Sequence, residues 1–118
     1  MRWFNYSEFD SPDVPGSGNN MDTDFLEMLD EARTKAGIPF IITSGYRTES
    51  HNDSIEGHED SAHCKGVAAD ILATTSRDRF LILTALLEVG IDRIGIHDEF
   101  IHADVDWEKA ANVCWTYT

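Results

Sequence analysis

Positive charge is scarce in this chain: 9 lysines and arginines stand against 22 aspartates and glutamates, a net charge of −13 over 118 residues. A general nucleic-acid binder needs cationic side chains to displace counterions from phosphate, so the composition argues against that class. The same deficit leaves no basic patch for an anionic membrane or wall polymer. Cysteine is nearly absent. Cys64 and Cys114 are too few for a disulfide scaffold, and free thiols suit a cytoplasmic product, although one bridge between them stays open. Long apolar runs are missing too. No segment nears the roughly 18 apolar residues of a membrane helix, and the opening MRWFNYSEFD lacks the apolar stretch of a secretory leader. Together these absences predict no membrane partner and synthesis in the cytoplasm without a signal peptide.

What is present reads as one domain over 1–118, with residues 1–20 as an N-terminal arm and loop ending in the turn-rich SPDVPGSGNN. Phe25, Met28, Leu29, Ala32 and Ala36 recur at helical spacing, with Asp22 as N-cap and Gly37 as stop. IPFIITS, 38–44, reads as a buried strand, and VAADILA as another. Between them lies a long polar loop rich in histidine, with a short helix possible after Thr48; such loops tend to carry function. Ser76 caps a second helix that runs to Val89, with Phe80, Leu83 and Leu87 on one face. DRIGIH and FIHADV form a hairpin around Asp98 and Glu99, and Trp115 and Tyr117 belong to a last edge strand. The expected fold is α+β, a small and mainly antiparallel sheet packed with helices.

Five histidines are the chemical feature: His51, His58, His63, His97 and His102. Catalytic zinc takes three protein ligands of the His and carboxylate type and keeps a position for water. His63, Asp70 and His102 would supply such a set, with Gly66 turning the chain between the first two. Taken singly, each has a plainer reading: a loop histidine, a strand-end carboxylate accepting backbone N–H groups, and an edge-strand residue. Cys64 sits in an acidic neighbourhood that disfavours a thiolate nucleophile. Trp3, Trp107 and Trp115 read as core and terminal anchors, though an exposed tryptophan could serve as a sugar platform.

The segment Ser61–Asp70 fits the pattern SxHxxGxAxD at Ser61, His63, Gly66, Ala68 and Asp70. In this it resembles the zinc D-Ala-D-Ala carboxypeptidase family, peptidoglycan metallopeptidases with the hedgehog-type fold. ITSGYRTESHN resembles that family's SGYR strand end, and FIHADV resembles its closing strand. The likeness spans roughly Phe4 to Tyr117 and is strongest to short phage and prophage members. It implies Zn2+ as cofactor, with His63, Asp70 and His102 as ligands and a zinc-bound water attacking a peptide carbonyl. Glu99, three residues before the last histidine, is the implied general base, with Asp98 as its rival and His97 and Asp104 further out. Other branches place a histidine where Phe100 stands. Arg47 would stabilise the oxyanion or a substrate carbonyl, and Ser61 would bind substrate backbone or orient the loop.

The expected activity is hydrolysis of peptide bonds in bacterial peptidoglycan stem peptides, as a D,D-carboxypeptidase or an endopeptidase of endolysin type. The chain would act as a monomer on the cell wall once released by lysis, or as a virion-associated component. The alternative is a recognition module of the same fold, in which zinc is structural.

Overall fold

The structure, a computed structural model, describes residues 1–117. Helix α1 spans Thr23–Ala36. It starts where expected: the Asp22 carboxylate accepts the Phe25 N–H at 3.0 Å, and Gly37 ends the helix in a left-handed conformation. Its buried stripe is Phe25, Leu26, Leu29 and Ala32. A short helix, α2, occupies Glu49–Ser54 after the Thr48 cap. Helix α3 spans Ser76–Glu88, and its cap is Thr75, whose hydroxyl accepts the Asp78 N–H. The buried face of α3 is Ile82, Ala85 and Leu86. Phe80 and Leu87, assigned to that face from spacing, point to solvent, 67% and 56% exposed. Nearly every residue from Phe80 to Leu87 is apolar, so periodicity alone could not choose the side.

Five strands form one mixed sheet: β1 Ile42–Ser44, β2 Ala68–Leu72, β3 Arg93–Ile96, β4 Phe100–Asp104 and β5 Val113–Thr116. Their order is β1-β2-β4-β3-β5, antiparallel except for the β3–β5 pair. The hairpin and the edge strand are where the sequence places them. The first strand is shorter than IPFIITS suggests: Phe40 is buried, but Ile41 is exposed and only the last three residues pair.

Side chains alternate across the sheet. One face carries Ala69, Ile71, Ile94, Ile101 and Ala103 into the core, beneath α1 and α3. The other face is open, and paired residues form transverse rows on it. The central row runs Ser44–Asp70–His102–Gly95–Trp115 across all five strands. A bulge at Thr43 makes this possible on β1: Ile42 pairs with Ile71 and faces the core, while Ser44 pairs with Asp70 and faces outward.

The N-terminal arm braces the end of β1. Tyr46 N–H donates to the Phe9 carbonyl at 2.8 Å, and Thr48 N–H donates to the Ser11 hydroxyl. Phe9 is fully buried. Gly66 joins a 3₁₀ turn, Ala62–Lys65, to β2 at φ +75°, and a Cβ there would lie 2.4 Å from the Asn20 carbonyl oxygen. Gly66→Ala is therefore expected to lower stability by about 1–3 kcal/mol, measured by urea unfolding. An unchanged midpoint would show that the turn relaxes without strain.

Candidate metal centre

Three elements deliver the donor atoms. Ser61 caps the 3₁₀ turn by accepting the His63 N–H, which places His63 below the open face of the sheet. Asp70 and His102 face each other across β2 and β4. All three are buried, and their donor atoms lie within 4.8 Å of one another, the one such cluster among the described residues.

Hydrogen bonding orients both rings. His63 Nδ1 donates to the Gly45 carbonyl at 2.8 Å, since that oxygen can only accept. The Nε2 lone pair is left facing Asp70 Oδ1 at 3.4 Å. His102 Nε2 contacts Asp104 Oδ2 at 2.6 Å, and His102 Nδ1 contacts the same Asp70 oxygen at 2.9 Å. With the proton on Nε2, held by Asp104, Nδ1 also offers a lone pair. Two imidazole nitrogens and a carboxylate oxygen thus converge on one point, with second partners fixing each ring, as in carboxylate–histidine metal sites. The donor set fits zinc.

The ionisation states follow. Burial raises the Asp70 pKa, but its contacts with His102 and His63 outweigh it and hold the carboxyl well below its usual range. Burial lowers the His63 pKa more than Asp70 lifts it. Burial also opposes charge on His102, yet its bonds to Asp104 and Asp70 prevail and raise its pKa above the ordinary imidazole value. Asp104 is kept ionised by His102 and by Arg93, whose Nε donates to it at 2.8 Å.

A cleft of about 740 Å³ opens above the set, lined among others by Arg47, Ser61, Phe100, Asp104, Trp115 and Tyr117. The Arg47 guanidinium stands 3.7 Å from Asp70 Oδ2. Ser44 and Asn52 aim it: Arg47 Nε donates to the Ser44 hydroxyl and Nη1 to Asn52 Oδ1. Buried Asn52 donates in turn to the His58 carbonyl on the cleft rim. The rim is also tied down by Lys65, which pairs with Asp60, Asp106 and Glu108, and by Lys109, which donates to the Asp60 carbonyl.

The structure thus gathers His63, Asp70, His102, Arg47 and Ser61. It leaves Glu99 and Asp98 outside: both are exposed in the β3–β4 turn and neither lines the cleft. Residues 100, 102 and 104 face the cleft while 101 and 103 face the core, so Glu99 has the parity of the core side; Asp98 has the cleft parity but lies in the turn before β4 begins. His97 packs on Phe100 away from the metal set and accepts the Glu99 N–H. Cys64 and Cys114 are both free, and burial raises the Cys64 pKa. Trp107 is no anchor; its ring is 72% exposed. Trp115 lies over the site, its ring 5.5 Å from that of His102. Spacing gave no signal for that contact, since it depends on β5 pairing with β3.

A buried His–Asp–His set flooring an open cleft on an α+β sheet is a layout able to hold a metal ion. The family model described as Peptidase M15 matches residues 7–104, and the chain belongs to that family, the zinc D-Ala-D-Ala carboxypeptidases. The matched span contains the whole metal set and stops short of β5. Comparison with curated proteins returns no match. No helix among the described residues is long and apolar enough to cross a membrane.

His63→Ala is expected to abolish stoichiometric zinc uptake, measured by metal analysis after dialysis; retained zinc would place the ion elsewhere. The proton that His102 holds must leave before Nδ1 can ligate, so zinc affinity is expected to fall as pH drops from about 8 to about 5.5. Competition with a chelator of known pH dependence measures this, and a flat profile would contradict ligation by His102.

Proposed function

We propose that this protein is a zinc peptidase that hydrolyses peptide bonds of bacterial peptidoglycan stem peptides, as a D,D-carboxypeptidase or an endopeptidase of endolysin type. The observation that carries this reading is the convergence of His63 Nε2, His102 Nδ1 and Asp70 Oδ1 beside the Arg47 guanidinium, in a chain of this family. When bound, zinc would act as a Lewis acid that acidifies a water molecule and polarises the scissile carbonyl. The chain's own residues do the rest. Gly45 and Asp104 keep the two imidazoles in the ligating tautomers. Arg47 offers planar donors to a substrate carbonyl or carboxylate. Ser61 lines the cleft next to His63, where its hydroxyl holds the turn and meets substrate backbone.

The proton acceptor is the role on which resemblance and placement diverge. Resemblance points to Glu99, with Asp98 as rival. Placement adds a candidate on the rim: Glu59, itself exposed, lines the cleft and makes no ion pair among the described residues, while neighbouring Asp60 is bound by Lys65. We assign the role to Glu59. Glu59→Gln is expected to cost about two to four orders of magnitude in kcat with zinc retained, and Glu99→Gln less than about tenfold. The reverse ranking would show that the β3–β4 turn swings inward on substrate.

The decisive measurement is mass spectrometry of purified peptidoglycan after incubation with zinc-loaded protein, against a chelator-treated control. Zinc-dependent products establish the peptidase, and their masses name the bond. The exposed placement of Glu99 and Asp98 favours one second reading, a recognition module in which zinc is structural. That reading predicts no products from several wall chemistries while zinc stays bound. Release by lysis or carriage on a virion would bring either form to the wall.

A further inference from the structure

Tyr117 lines the same cleft as the metal set, in a segment beyond the family match, and no motif gives it a task. Its position follows from a missing side chain. Gly95 sits between His102 on β4 and Trp115 on β5 in the central row. A Cβ on Gly95 would lie 2.5 Å from Trp115 Nε1 and 2.9 Å from Tyr117 Cε2, so these two rings fill the space a side chain would take. The glycine lets both aromatics close over the sheet toward His102.

Packing then fixes the tyrosine ring. Phe100 lies 5.4 Å from it at 58°, and His97 lies 5.6 Å from it at 67°. Phe100 and His97 are themselves stacked at 4.4 Å. Backbone pairing continues to this residue, whose N–H donates to the Ile96 carbonyl. The residue is 43% exposed and lines the cleft. Burial raises the phenol's pKa, partly offset by a hydrogen bond with the Trp115 side chain. The phenol is therefore protonated at neutral pH and available as a donor in the cleft that the metal set also lines.

We infer that Tyr117 is a further catalytic residue, donating a hydrogen bond from its hydroxyl to the scissile carbonyl oxygen as that oxygen gains negative charge. The inference rests on the peptidase reading above. No proton leaves the tyrosine: water adds to the carbonyl carbon, the C–N bond breaks, and the amine takes its proton from the acid formed by the base. A donor preplaced at a developing oxyanion is worth about 100- to 1000-fold in kcat. Arg47 approaches the metal set from the β1 side and Tyr117 from the β5 side, so the two are not redundant in position.

Tyr117→Phe removes only the hydroxyl. In zinc-loaded protein it is expected to lower kcat by about 100-fold or more, with KM within about twofold, and to leave melting temperature and zinc content unchanged. A second arm is independent of turnover: calorimetric binding of a phosphinate dipeptide, which mimics the tetrahedral oxyanion, and of the product D-Ala. The variant is expected to bind the phosphinate about tenfold or more weakly and the product equally well. Equal phosphinate binding by parent and variant overturns the assignment, as does unchanged kcat. A parent that cleaves no peptide refutes the peptidase reading. A phosphinate difference that survives in such a parent would still support the hydroxyl as an oxyanion donor.

Discussion

The pairing register of β2 against β4 is the constraint from which the site follows. Asp70 lies opposite His102 only because Ile71 lies opposite Ile101 and Ala69 opposite Ala103. Those partners are fully buried, and each isoleucine contributes about 1.5–3 kcal/mol through burial. A slip of β2 by one residue would turn Ile71 to water and drive Asp70 into the core, while β4, paired with β3 on its other side, kept His102 and Asp104 on the open face. The apolar face thus sets the register, and the metal set inherits its geometry from it. The bulge at Thr43 extends the logic to β1, where it lets one short strand serve the core with Ile42 and the site with Ser44.

Burying two imidazoles and two carboxylates is costly unless each is paired, and here each is. Asp104 bridges His102 and Arg93, and Asp70 lies between both histidines and Arg47. No buried side-chain polar atom among the described residues lacks a partner. In a chain of net charge −13, four of the nine lysines and arginines stand at the cleft or its rim. Arg47, Arg93 and Lys109 all line the cleft, and Lys65 and Lys109 hold its rim through Asp106. The remaining mismatch is the facing of acceptor toward acceptor between His63 Nε2 and Asp70 Oδ1, which a cation resolves. Metal binding and stability of the site are therefore linked.

Much of this was legible because it rests on local chemistry. FIHADV shows its alternation openly: Phe100, His102 and Asp104 to one side, Ile101 and Ala103 to the other. Asp22, Gly37 and the Gly66 turn act within a few residues of themselves. Two kinds of information stayed hidden. One is choice of face where composition is uniform, as along α3, where tertiary packing selected Ile82, Ala85 and Leu86 over Phe80 and Leu87. The other is contact between distant segments. Trp115 reaches His102 through the parallel β3–β5 pairing, and His63 reaches the Gly45 carbonyl, 18 residues away, through a buried hydrogen bond that no spacing encodes.

Phe100 illustrates how one position redistributes roles. Branches of the family with a histidine there hold a polar group two residues before the last ligand. Here the position joins an aromatic group with His97 and Tyr117, next to the central row. On the other side of that row stand Asp104 and Arg93, paired across β4 and β3. Residues two apart on a strand are separated by about 7 Å, so the open face changes from aromatic to metal-binding to charged in steps of that size. An extended peptide repeats over the same distance. With an aromatic side chain at position 100, a hydrogen-bonding group on that flank has to come from a neighbouring strand, and Gly95 clears the space through which β5 supplies one.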